Sequence, residues 1–143
     1  NIKVVFSGRR NPLKEDVLAA MDYLRDETSS CTGGILNICL NYGGQTEIVD
    51  ATKKIVDDIK NGNLTSEDIT TQIFEKYLYQ DLPPVDLMIR TGGDVRVSNF
   101  LLWQIAYAEM YFPDCYWPDF DKKEFDKALD AYNGRERRFG GGK

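Results

Sequence analysis

The chain has 143 residues, a length that fits one domain with a core of its own. Its formal charge is −5, from 18 Lys and Arg against 23 Asp and Glu, which argues against a general nucleic-acid binder. No apolar run approaches the roughly 18 residues of a membrane-crossing helix, and the first residues carry no signal-peptide pattern. The three cysteines (Cys31, Cys39, Cys115) form no CxxC pair and histidine is absent, so a zinc site is not expected. A reduced, cytoplasmic protein is the expectation that follows.

In chain order, Ile2–Phe6 reads as a strand, followed by the loop Ser7-Gly8-Arg9-Arg10. Asn11-Pro12 predicts a helix start, with a capping residue and proline at the first helical position. Leu13, Val17, Met21, Leu24 and Thr28 recur at helical spacing and carry that helix to about Glu27. After the linker 29–34, Ile35–Leu40 predicts a second strand ending at Asn41-Tyr42-Gly43-Gly44. A helix with Ile48, Thr52, Ile55, Val56 and Ile59 on one face then runs to Asn61-Gly62. Thr65 or Ser66 is expected to cap another, with Ile69, Ile73 and Tyr77 inward and Glu67 and Asp68 in its first turn.

Pro83-Pro84 leads into a third strand, Val85–Ile89, which ends at Arg90-Thr91-Gly92-Gly93-Asp94. Ser98 stands where a helix N-cap belongs, ahead of Asn99-Phe100-Leu101-Leu102-Trp103. Met110–Phe112 predicts a fourth strand, closed by Pro113. Asp121-x-x-Glu124 resembles a capping box for a last helix, whose face carries Phe125, Ala128, Leu129 and Tyr132 and which stops at Gly134. A basic tail, Arg135 to Gly141, follows.

Strands alternating with helices predict an α/β fold with a mostly parallel sheet and helices on both faces. Ligands in such sheets bind beyond the carboxyl ends of the strands, and here those ends carry glycines and arginines. Guanidinium groups make charge-assisted, often bidentate bonds to phosphate, and a helix N-terminus adds unpaired donors. The stretch from Arg90 to Trp103 therefore suggests a diphosphate site. On the residues alone, the two arginines fit a solvated turn equally well, and Glu109 at the start of a strand fits a solvent-facing position.

The ordered motifs resemble the cis-prenyltransferase family, of the undecaprenyl diphosphate synthase type. They are Leu36-Asn37-Ile38 with Asn41-Tyr42-Gly43-Gly44, Asp86 to Gly93, Arg96 to Gln104, Ala106 to Glu109, Trp117-Pro118-Asp119-Phe120 and Arg135 to Gly141. The resemblance implies an enzyme that condenses isopentenyl diphosphate onto an allylic diphosphate, usually farnesyl diphosphate, making a polyprenyl lipid-carrier precursor with each new double bond cis. It implies Mg2+ as cofactor, a homodimer, and a peripheral contact with membrane for product release. Carried over by motif, Arg90, Arg96, Val97 and Ser98 would hold isopentenyl diphosphate and Glu109 would serve the metal. Arg138 and Gly140 would belong to an element reaching the partner subunit's active site.

Two positions depart from the family pattern: Asp94 stands where Glu is usual, and Gln45 where Arg is usual. The family's Asp-Gly-Asn-Gly-Arg stretch for the allylic diphosphate and its Ser-Glu-Asn-Trp stretch do not occur here. The resemblance thus implies that residues 1–143 are the C-terminal portion of one catalytic domain, inactive alone, with no catalytic Asp or Asn of its own. Two rivals exist. A non-catalytic partner subunit of a heteromeric prenyltransferase would lack the arginines retained here, and a nucleotide-binding module would need a GxGxxG or Walker loop.

Overall fold

The computed structural model describes residues 1–134. The chain divides into two compact units, Asn1–Leu82 and a second beginning at Pro83. Both units are α/β and both pair their strands in parallel, in keeping with the expected class.

In the first unit, β1 (Lys3–Ser7) lies beside β2 (Ile35–Cys39), with Lys3 opposite Ile35 and Ser7 opposite Cys39. Parallel strands need a crossover, and α1 (Glu15–Glu27) supplies it. Its end is fastened to the sheet by one hydroxyl: Thr28 Oγ1 donates to Leu24 O and accepts the Val4 N–H at 2.9 Å. The helix opens later than Asn11-Pro12 predicts. The Asn11–Pro12 peptide is cis and Lys14 is the N-cap, without a side-chain bond. The intervening loop is held instead by Asn41, whose Nδ2 donates to Arg9 O (2.9 Å) and Asn11 O (3.0 Å).

Helix α2 (Gly44–Lys60) ends at Asn61, as its sequence indicates, but it buries a different face. Gly44, Glu47, Ala51 and Ile55 point inward, whereas Val56 and Ile59 are exposed. The stripe is turned because Glu47, only 2 % exposed, is the residue that the surroundings are built to receive. Tyr42 OH donates to its Oε2, and the Tyr79 backbone N–H donates to Oε1 at 3.0 Å. Buried carboxyls persist only with such partners. The helix expected after Thr65 breaks in two. Thr65 and Asp68 form a reciprocal capping box around a single 3-10 turn, and α3 (Thr71–Glu75) starts afresh with Thr70 Oγ1 accepting from Ile73 N–H. Ile69 falls in the break and is exposed.

Beyond the strand ends, Arg9 makes a two-pronged bond to Asp50 (2.8 and 2.7 Å), and Tyr79 OH donates to the same carboxylate at 2.7 Å. The Arg9 bond holds the Asp50 carboxyl well below the usual carboxylate range. Burial first, and the bond to Asp50 second, push the Tyr79 phenol up to about 12. Gly8 lets the loop pass here: at φ +127° it lies so close to β2 that a Cβ would sit 1.9 Å from Leu40 O.

The second unit pairs β3 (Leu87–Ile89) with β4 (Glu109–Tyr111), Leu87 opposite Glu109 and Ile89 opposite Tyr111. β3 begins two residues later than the predicted Val85, and β4 is shifted one residue toward the N-terminus from the predicted Met110–Phe112. Helix α4 (Lys122–Asn133) starts where Asp121 Oδ1 accepts the Glu124 N–H at 3.0 Å, with Gly134 as C-cap. Only Ala128 of its face is fully buried, and Phe125 and Leu129 keep about two-fifths of their surface exposed. The core of this unit is Met88, Ile105 and Ala128. Among the described residues no helix is long and apolar enough to cross a membrane.

The raised Tyr79 ionisation makes stability depend on alkaline pH. The unfolded phenol ionises near the ordinary value of 10.0 and the folded one near 12, so the contribution is present in full below pH 10 and fades as pH rises toward 12. Tyr79→Phe should flatten that loss in thermal melts between pH 10 and 12. A variant as alkali-sensitive as the parent would refute this.

Candidate functional site

The second unit carries the residues that the sequence singles out at the end of β3. The ladder continues one residue past the strand, since Arg90 N–H donates to Tyr111 O at 3.0 Å. Gly92 (φ 92°) and Gly93 (φ 73°) then turn the chain through the left-handed region, which only glycine enters without cost. Their amides do not face outward as anion donors. Gly92 N–H donates to Cys115 O (2.8 Å) and Gly93 N–H to Pro113 O (3.1 Å), closing the turn onto the segment after β4.

With the two glycine amides engaged, the side chains around the turn carry its charge and polarity. Arg90 Nη1 donates to Arg96 O and to Ser98 Oγ, each at 2.8 Å, and so draws the following loop back to the strand end. Its Nη2 stands 3.5 Å from Asp94 Oδ2, and Arg96 Nη2 meets that same oxygen at 2.5 Å. Arg90, Arg96 and Ser98 are thus brought together, as expected. Arg90 is the more enclosed of the two cations, its side chain 28 % exposed against 62 % for Arg96.

The helix expected to start at Ser98 is not formed. Ser98 (φ 47°), Asn99 (φ 65°) and Leu101 (φ 46°) are left-handed, a conformation that cannot propagate a right-handed helix. The Ser98 hydroxyl accepts from Arg90 where a cap would accept from a backbone amide. Residues 98–107 instead form successive turns, with Phe100 N–H on Val97 O and Ile105 N–H on Leu101 O. The dipole of a helix start therefore gives no assistance here.

Val97 joins Met88, Ile89, Phe100 and Trp117 around a cleft of about 280 Å³ with Arg90 and Thr91 on its wall. Trp117 stacks on Phe120 with ring centres 6.0 Å apart. A guanidinium at the edge of an apolar, aromatic cleft suits a ligand with an anionic head and a short hydrocarbon body. The sequence signals the cleft only weakly, because Trp117 lies 27 residues beyond Arg90 and nothing local links them. Asp94 as the shared partner of both arginines is more legible, being four residues after one and two before the other.

Glu109 opens β4 opposite Leu87, and its N–H donates to Asp86 O at 2.9 Å. Tyr111 is the residue level with the turn, roughly 7 Å further along the strand. Among the described residues no group of three His, Cys, Asp or Glu could hold a metal ion. Arg138 and Gly140 lie outside the described residues.

The family model for putative undecaprenyl diphosphate synthases matches residues 1–140. The chain belongs to the undecaprenyl diphosphate synthase family. It is 52 % identical over 140 residues to an isoprenyl transferase of Fusobacterium nucleatum, covering 98 % of this chain and 58 % of that one. It is 49 % identical over 141 residues to a (2E,6E)-farnesyl-diphosphate-specific ditrans,polycis-undecaprenyl-diphosphate synthase of Acinetobacter baylyi, covering 98 % and 57 %. The chain therefore spans less than two thirds of these relatives. Among solved structures, lavandulyl diphosphate synthase from Lavandula x intermedia, crystallised with dimethylallyl diphosphate, superposes with a TM-score of 0.94 at 34 % identity, covering 98 % of this chain and 61 % of that one. For this family member, the motif set from Leu36 to Phe120 falls within the matched residues.

Because Arg90 ties Arg96 and Ser98 to the strand end, Arg90→Ala should loosen the loop without unfolding the unit. Amide exchange at residues 94–100 should quicken by about tenfold, the loss of roughly one charge-assisted bond. Unchanged exchange there would show that the turns hold themselves.

Proposed function

We propose that this chain carries the isopentenyl diphosphate site of a cis-prenyltransferase, and that it forms the C-terminal portion of one catalytic domain. The observation that supports this most is the convergence of Arg90, Arg96 and Ser98 on one turn beside an apolar cleft. The two guanidinium groups hold the diphosphate, and Val97, Phe100 and Trp117 receive the five-carbon alkene. Fixing the diphosphate aims the alkene, which converts an encounter into a positioned attack. In the condensation the alkene carbon bonds to the allylic carbon, the allylic diphosphate departs and a proton is lost. Polyprenyl diphosphate for a lipid carrier is the product.

The residues that release the allylic diphosphate and take the proton are placed, by the family resemblance, in motifs that this sequence does not contain. The chain alone is accordingly proposed to be inactive. Homodimer formation with Arg138 and Gly140 crossing to the partner, peripheral contact with membrane and a cytoplasmic location belong to the same proposal and rest on the resemblance. Magnesium does too. Among the described residues no group of three His, Cys, Asp or Glu could hold the ion, Glu109 is its one proposed ligand, and no step is derived through the ion.

Calorimetric titration with isopentenyl diphosphate tests the reading. Arg90→Ala and Arg96→Ala should each weaken binding by about 1.5–3 kcal/mol, the range for a bond to a charged group. Full affinity in both variants would remove the arginines from the site. Glu109→Gln, made in a full-length family member that contains these residues, should shift the magnesium concentration for half-maximal activity. An unshifted titration would take Glu109 out of the metal's company.

A further inference from the structure

Asp94 Oδ2 is the point at which both cations of the turn meet. Arg90 spends Nη1 on Arg96 O and Ser98 Oγ, and its other terminal nitrogen stands 3.5 Å from that oxygen. Arg96 Nη2 approaches the same atom at 2.5 Å. One anionic oxygen between two guanidinium groups is the arrangement that a phosphate oxygen adopts in an arginine clamp. The carboxylate and a diphosphate therefore address the same guanidinium edges, and both cannot hold them together.

We infer that Asp94 is an internal competitor for the diphosphate, a carboxylate that occupies the anion position between Arg90 and Arg96 and sets the affinity of the site by having to leave it. The inference rests on the diphosphate reading above and deepens it. Its opposite is a positioning role, in which Asp94 aligns the arginines and favours binding. The two differ in sign. Asp94 is 47 % exposed, and its short side chain follows the two left-handed glycines, so a rotation into solvent releases it with little loss of packing. An exposed ion pair is weak, and a diphosphate of higher charge outcompetes it while retaining the Ser98 side of the clamp. The carboxylate also repels the incoming anion until it moves, so its charge acts twice against binding.

Removing the charge while keeping the shape separates the two roles. Asp94→Asn in this chain should bind both inorganic pyrophosphate and isopentenyl diphosphate about three- to fivefold more tightly than the parent, the weight of one exposed ion pair. Asp114→Asn serves as the control for plain charge. Asp114 lies beside the same turn, its Oδ1 3.1 Å from where a Cβ on Gly93 would stand, and pairs with neither arginine among the described contacts. It should change affinity by less than about twofold, as expected of a screened, uncontacted charge.

Affinity unchanged or lowered in Asp94→Asn overturns the competitor role. So does an equal gain in Asp114→Asn, which would reveal a general field effect. If the parent binds neither ligand and matches Arg90→Ala, the diphosphate reading itself falls, and this inference with it. Thermal melts check that each variant folds, and Asp94→Ser replaces Asp94→Asn if the latter does not.

Discussion

The turn after β3 depends on a single guanidinium. Arg90 leaves the end of β3 with its backbone amide on β4, and its side chain gathers Arg96, Ser98 and Asp94 around it. That cation holds the near part of a loop that contains left-handed residues and no regular hydrogen-bond ladder, while its far part is held by Val85 N–H on Gln104 O and by buried Ile105. The positions of Arg96 and Ser98 follow from this one side chain. The parallel pairing of β3 and β4 matters chiefly because it brings Pro113 and Cys115 level with the glycines and lets the turn close.

The first unit solves a similar problem with neutral and acidic groups. Asn41 holds the loop after β1 from the end of β2, and Glu47 holds the approach to Tyr79 from α2. A carboxyl that is 2 % exposed would be costly if its partners were removed, so its bonds to Tyr42 and Tyr79 fix how α2 is rotated. Packing alone would have favoured the Ile48, Ile55 and Ile59 stripe.

The α/β class, the order of most elements and the clustering of Arg90 with Arg96 and Ser98 were legible in the sequence, because each rests on local signals. Apolar runs bounded by proline and glycine mark strands, and paired glycines mark the turn. What was not legible depends on partners far along the chain. The late start of α1 is decided by Asn41, the face of α2 by Tyr79, and the fate of the Ser98 segment by a side chain eight residues earlier. A serine before an apolar run satisfies the capping pattern, yet a guanidinium is a stronger partner for its oxygen than a backbone amide. The family resemblance reached further than periodicity did, and it too places Glu109 by motif and not by position in the fold.

The closed turn bears on what kinds of side chain this site tolerates. In glycine-rich loops that cradle phosphate with backbone amides, identity of the flanking side chains is secondary. Here the Gly92 and Gly93 amides are bonded to Cys115 O and Pro113 O, so those two glycines offer no such cradle and the proposed contacts fall to side chains. Arg90 reaches a carbonyl, a hydroxyl and a carboxylate at once through a rigid planar fork, which the compact ammonium of lysine does not reproduce. Position 90 is thereby closed to the exchange of one basic residue for another, even where net charge is kept. A surface that looks chemically forgiving, rich in charge and open to solvent, is in this respect as exacting as a packed core.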